Sequence, residues 1–203
     1  MAQSNKAFAE VIESSLTGFL AQSWQWDAFP SFGSLVMITS KKRTLFGLVH
    51  QIQTGSLDPV RYPFPYQKSE EELLREQPQI FEFLKTTFSC LIVGYQEAGS
   101  INYLLAPEPA KIHAFIEPVS IDLAKQFLYK DRYLPLLFSM STIMFNLDEV
   151  LLALLKYQES LGLLSAEKMD AFVQELSLLT GNDYRRLKLF LQRVEILVGH
   201  RHV

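Results

Sequence analysis

One cysteine in 203 residues excludes any internal disulfide, and a chain built without disulfides is expected in a reducing compartment. That cysteine, Cys90, sits in the apolar run Phe88-Ser89-Cys90-Leu91-Ile92-Val93. It reads as a buried, inert thiol, because no histidine follows at a spacing that would activate a nucleophile. Glycine is scarce and scattered, with nine in the chain. None forms a phosphate-cradling loop or a dinucleotide fingerprint after a strand, so nucleotide hydrolysis by this chain is not expected. Charge of one sign is also lacking. The net charge is -3, and neither half is basic enough to advertise a polyanion partner. No long uncharged hydrophobic run exists either. The most apolar window, Leu134 to Leu155, is interrupted by Asn146, Asp148 and Glu149, which argues for two packed helices rather than a membrane span. Glu10 and Glu13 stand where a signal peptide would be basic and then apolar. A cytoplasmic protein with no membrane association is the expectation.

Metal and acid-base chemistry are equally thin. Of the four histidines, His50 and His113 alternate with apolar residues and read as half-buried strand positions. His200 and His202 lie in the tail and lack the further ligands that a rigid metal site needs. No metal and no cofactor is expected. Glu70, Glu71, Glu72 and Glu76 cluster on one short segment. They read as a solvated helix start rather than a catalytic pair.

What the chain does have is a seam near Ser120. Before it lie short apolar strands broken by Gly, Pro and Ser, and after it amphipathic helices. Residues 8–24 read as extended structure with a bend. Leu35-Val36-Met37-Ile38 and Leu45 to Ile52 read as a hairpin with a basic tip, Lys41-Lys42-Arg43. Gly47 within the second strand points to a bulge or a close backbone approach. Thr54 to Gln67 is a proline-stiffened loop. Ser69 then opens a helix, with Glu72 at the reciprocal capping position. Phe88–Tyr95, Ile101–Leu105 and Ile112–Ile116 read as three more strands. Six short strands close naturally into a small barrel, which removes the sheet edges. Beyond Ser120, Leu147, Val150, Leu151, Leu154 and Leu155 follow the helical template, and so do Met169, Phe172, Val173, Leu176 and Leu179. The fold class is therefore α+β: an N-terminal small β-barrel with a helical insertion over 1–119, then a C-terminal helical bundle over 120–203.

Two segments carry a resemblance. Gly33-Ser34-Leu35-Val36-Met37-Ile38 followed by Leu45-Phe46-Gly47-Leu48-Val49-His50-Gln51-Ile52 resembles the HAS barrel. This is the small β-barrel shared by HerA-type DNA-translocating ATPases and ATP synthase rotor subunits. Glu10 to Phe19 is similar to that barrel's first strand. In that family the barrel caps an ATPase domain and helps to assemble a ring. No phosphate loop follows here, and no catalytic residue of the family falls in the matched segments. The resemblance implies a barrel detached from its ATPase and kept for protein contacts.

The functional reading is a non-enzymatic assembly or adaptor protein. It would bind a protein partner, such as an ATPase, or copies of itself. The candidate contact residues are Trp24, Trp26, Asp58, Arg61, Tyr62 and Tyr66, which mix aromatics and charge in stiffened connections. The alternative is a nucleic-acid or ribosome-associated barrel, with Lys41, Lys42 and Arg43 as its phosphate contacts. A third reading is an enzyme pocket between barrel and helices, lined by His113, Tyr129 or Arg132.

Overall fold

The computed structural model describes residues 7–58, 60, 63–144, 146–181 and 183–199, the last three by their backbone alone. The strands are β1 (Ala9–Ser14), β2 (Gly18–Ser23), β3 (Leu35–Thr39), β4 (Arg43–Ser56), β5 (Leu84–Glu97), β6 (Ser100–Asn102) and β7 (Phe115–Pro118). Six of them close a ring in the order β1-β7-β3-β4-β5-β2, all antiparallel, and β6 hangs from the outer end of β5. Closure needs curvature, and bulges supply it. The pairing register slips at Ile12, at His50 and at Val93.

Side chains alternate across the barrel wall as the pleat requires. Val36, Ile38, Leu45, Val49, Phe88, Cys90 and Ile92 fill the interior together with Val11, Phe19 and Ile116. Gly47 faces inward too, where a Cβ would meet the Phe19 ring at 2.7 Å. Leu35, Phe46, Leu48, Leu91 and Val93 point outward and are also buried. They belong to a second apolar cluster that continues into the helices. This explains why the runs 35–38 and 90–93 lack a polar alternate. Over 35–38, 45–49 and 90–93 the strands β3, β4 and β5 are covered on both faces, so neither face tolerates charge there.

The helices after the barrel are α2 (Ile121–Leu128), α3 (Leu134–Ser139), α4 (Leu147–Ser160), α5 (Ala166–Leu179) and α6 (Tyr184–Gly199). Ser120, Asn146 and Ser165 cap α2, α4 and α5 by accepting from backbone amides of the first turn. The apolar pattern from Tyr133 onward does not make one helix to Asn146. Helix α3 stops at Ser139, and Met140 to Ile143 turn. A short helix α1 (Glu70–Glu76) and a 3₁₀ segment (Pro78–Phe83) stand between β4 and β5. Ser69 and Glu72 form the reciprocal cap expected from the sequence. Bonds from Ser69, chiefly its amide, hold the Glu72 carboxyl below the usual carboxylate range.

Two strand expectations shift. The last barrel strand is 115–118 rather than 112–116, and the strand expected over 101–105 is only three residues long. His113 therefore lies in a turn, at φ 65°, with an exposed side chain. The reason is long-range. The amide of His113 donates to Val11 O and that of Val11 to Ala114 O, which pulls this stretch along β1 before the regular ladder begins. His50 stays half-buried in β4, and burial lowers its pKa.

Cys90 is buried inside the barrel, and burial pushes its thiol well above the usual range. An Ellman's-reagent titration should find no reactive thiol in native protein and one in guanidinium. Rapid native labelling would contradict the barrel packing. No helix among the described residues is long and apolar enough to cross a membrane.

Candidate functional site

The ring topology produces two unlike ends. At one, β1 begins, β2 ends and β5 begins; at the other the directions reverse. Two connections cross the mouths. Residues 24–34 cross the first on the way from β2 to β3. Residues 103–114 cross the second on the way from β6 to β7, where Ala106 and Ala110 are buried against the barrel interior.

The first end is aromatic and acidic. Strands β4 and β5 run on past the barrel, pairing as far as Ser56 with Leu84. The connection crossing the mouth is pinned to this arm. Thr86 donates its hydroxyl proton to the Trp26 carbonyl, and the Thr54 and Thr86 hydroxyls lie 2.8 Å apart. The half-buried Trp26 ring stacks on Phe81 of the 3₁₀ segment, with centroids 5.6 Å apart. Trp24 meets Phe115 edge-on. Farther out, the Leu57 amide donates to Phe83 O, and the Val60 amide donates to Asp58 Oδ1. Phe64 and Tyr66 meet edge to face. Val60 is 85% exposed and Phe64 70%, and Leu57, Tyr66, Leu74 and Phe83 are exposed as well. Apolar side chains gathered on one projection are characteristic of a contact surface, especially when aromatic and edged by charge.

The second end is basic. Ser40 and Arg43 close a tight hairpin turn between β3 and β4: the Ser40 amide donates to Arg43 O at 2.8 Å, and Ser40 Oγ accepts from the Arg43 amide at 3.2 Å. This turn puts Lys41 and Lys42 at the apex. Arg43 is held rather than free. Its Nη2 lies 3.3 Å from Glu97 Oε1, and its guanidinium sits 5.8 Å from the centre of the Tyr95 ring. Facing the hairpin is the turn 111–114, closed by the Ala114 amide donating to Lys111 O. His113 Nδ1 lies 2.8 Å from Glu10 Oε1. The ladder between β3 and β7 stops at Met37 and Glu117, so the two turns splay apart. The cleft between them, about 650 Å³, is lined by Lys41, Lys42, Arg43, Lys111 and His113, with Ile38 and Leu45 also in its wall.

The six candidate contact residues thus fall at one end, as far as they are described. Trp24, Trp26, Asp58 and Tyr66 all lie there, and Trp26 meets the 3₁₀ segment at Phe81, while Arg61 and Tyr62 lie outside the described residues. The tail residues His200 and His202 lie outside them too. Lys41, Lys42 and Arg43 stand at the opposite end. Of the residues named for a junction pocket, His113 lines the basic cleft, and Tyr129 and Arg132 do not. A separate hollow of about 380 Å³ beside α4 is lined mainly by apolar residues such as Phe8, Phe29, Leu35 and Val119, with Tyr157 at its edge. Among the described residues no group of three or more His, Cys, Asp or Glu is placed to hold a metal.

Sequence reasoning did not name Phe64, Phe81 or Phe83 among the contacts, although their aromatic density was visible. It gave Lys111 no role, and no local signal could have done so, because its partners in the cleft are about seventy residues away. No protein-family model and no curated protein matches this chain.

Proposed function

We propose that this protein is an assembly or adaptor protein that acts without turnover, through the aromatic end of its barrel. One observation carries the reading: the large apolar side chains Leu57, Val60, Phe64, Tyr66, Leu74 and Phe83, all in or beside the connection between β4 and β5, are exposed, and Phe64 and Tyr66 are in contact. Left in water, such a patch is an aggregation liability, and its natural use is to be covered. Aromatic anchors with few rotatable bonds bind at low entropic cost. The α1 and 3₁₀ insertion is the contact element in this reading, and the bundle of helices behind β3, β4 and β5 braces it. The likeness to the HAS barrel supports the same role, that of a barrel that makes protein contacts.

The test is Phe64→Ser with Tyr66→Ser, two exposed positions whose loss leaves the core intact. Size-exclusion chromatography with light scattering, run with an affinity capture, should show the wild type in a larger complex. The double variant should elute alone, with its melting temperature within about 2 °C of wild type. A variant that keeps its complex unchanged would refute this role for the projection.

A further inference from the structure

We propose that the protein assembles head to tail, with helix α1 of one copy seated in the basic cleft of the next. The inference rests on the assembly reading and names the partner as a second copy of this chain. Three observations converge on it. Helix α1 is seven residues long and buries none of them. Helices that short are marginal unless something packs on them, and its reciprocal cap with the Lys68–Glu76 ion pair steadies it only locally. Its outer side carries Glu70 and Glu71, which have no cationic partner among the described residues, and Leu74, which is 50% exposed. The cleft is complementary in both respects. Lys41, Lys42 and Lys111 have no carboxylate partner among the described residues and converge on one hollow, whose apolar wall includes Ile38 and the half-exposed Ile112. Among the described residues, Glu108 is the single carboxylate lining it.

Position in the fold sets the symmetry. Helix α1 leaves the barrel where β4 ends and β5 begins, and the cleft lies where β3 ends and β4 begins. These are opposite ends of one rigid barrel, so a chain cannot fill its own cleft. A contact between unlike patches is heterologous, and it closes a ring or extends an open filament. Charge pairing fixes its register and makes it salt-sensitive.

Sedimentation velocity tests this with two full-length variants, one Lys41→Glu with Lys42→Glu, the other Glu70→Gln with Glu71→Gln, so that the two altered surfaces cannot pair with each other. All four positions are exposed, and Lys41→Gln with Lys42→Gln serves if the first variant fails to fold. Wild type should form species larger than dimers that grow with concentration and shrink at high salt. Each variant alone should be monomeric. Mixed one to one, they should form a dimer and nothing larger, because one intact α1 meets one intact cleft. Wild type that is monomeric throughout, a single variant that still oligomerises, or a mixture that stays monomeric would each overturn the head-to-tail contact. So would monomeric protein whose lysine cleft binds a labelled single-stranded DNA with strong salt dependence. If wild type is monomeric yet captures a different protein through Phe64 and Tyr66, the head-to-tail contact falls and the adaptor role stands.

Discussion

Gly33→Ala should lower the melting temperature by about 6–12 °C, corresponding to roughly 3 kcal/mol for a domain of this size. Gly33 ends the connection that crosses the aromatic mouth, at φ 80°, where a side chain is strained. It also touches helix α4 with its backbone. An added Cβ would fall 2.6 Å from the Ala153 carbonyl carbon and 2.8 Å from Leu154 N, and closer still to Ala153 Cβ. Helical backbone cannot yield by rotating a side chain, so α4 must move off the barrel or the connection must shift. Leu35 and Tyr157 line the apolar hollow beside this contact and would lose packing with it. Ala153→Gly in the same chain should not rescue it, because the clashing carbonyl and amide remain. Gly55→Ala is the control, since nothing lies within 4 Å of a Cβ there. Thermal melts followed by circular dichroism would settle it. A Gly33→Ala variant as stable as the Gly55→Ala variant would mean that α4 does not press on the barrel.

Asp131→Ala should cost about 3–5 kcal/mol, because it strands a buried ammonium. Lys168 projects from α5 into a closed polar knot, with Nζ 2.6 Å from Asp131 Oδ1. It also donates to the carbonyls of Leu128 and Tyr129 at the end of α2, at 2.9 and 3.1 Å. The side chains of Lys168 and Asp131 are 11% and 8% exposed, too little for water to compensate. Tyr133 is buried and donates its hydroxyl proton to Asp131 at 2.9 Å, and Gln158 Nε2 donates to the Tyr133 oxygen at 3.1 Å. Burial, then the Asp131 charge, raises the Tyr133 pKa well above normal. Four helices meet through these groups: α2, α3, α4 and α5. Lys168→Met removes the charge as well as the partner, so Lys168→Met with Asp131→Ala should cost less than the sum of the two single changes. Urea unfolding of the four proteins measures that coupling. Additive losses would mean that the pair is solvated and that the helices are held by apolar contacts alone.

The two candidate surfaces were unequally legible. The aromatic end announced itself through composition: Trp24, Trp26 and Tyr66 lie in connections stiffened by proline, and local stiffness with aromatics is readable without a fold. The basic tip Lys41-Lys42-Arg43 was equally plain, but the partners of its charges are not set by local sequence. Arg43 turned out to be tied to Glu97 and Tyr95, across the neighbouring strand. Lys111 joined Lys41 and Lys42 through the route of the chain over the barrel mouth. His113 looked like a strand residue by alternation, and hydrogen bonds to β1 drew it into a turn instead.

Periodicity and capping by themselves determined the element types, the seam between strands and helices and the Ser69–Glu72 cap. Each of these is set by neighbours a few residues away, through backbone preference, side-chain spacing or local hydrogen bonds. The tertiary structure alone decided that the strands close in the order β1-β7-β3-β4-β5-β2, that β3 to β5 are sheathed by helices, and that the acidic helix and the lysine cleft face opposite ways. Those outcomes depend on contacts between residues tens of positions apart. Loop closure and the burial of apolar surface select among many pairings that satisfy the same local pattern.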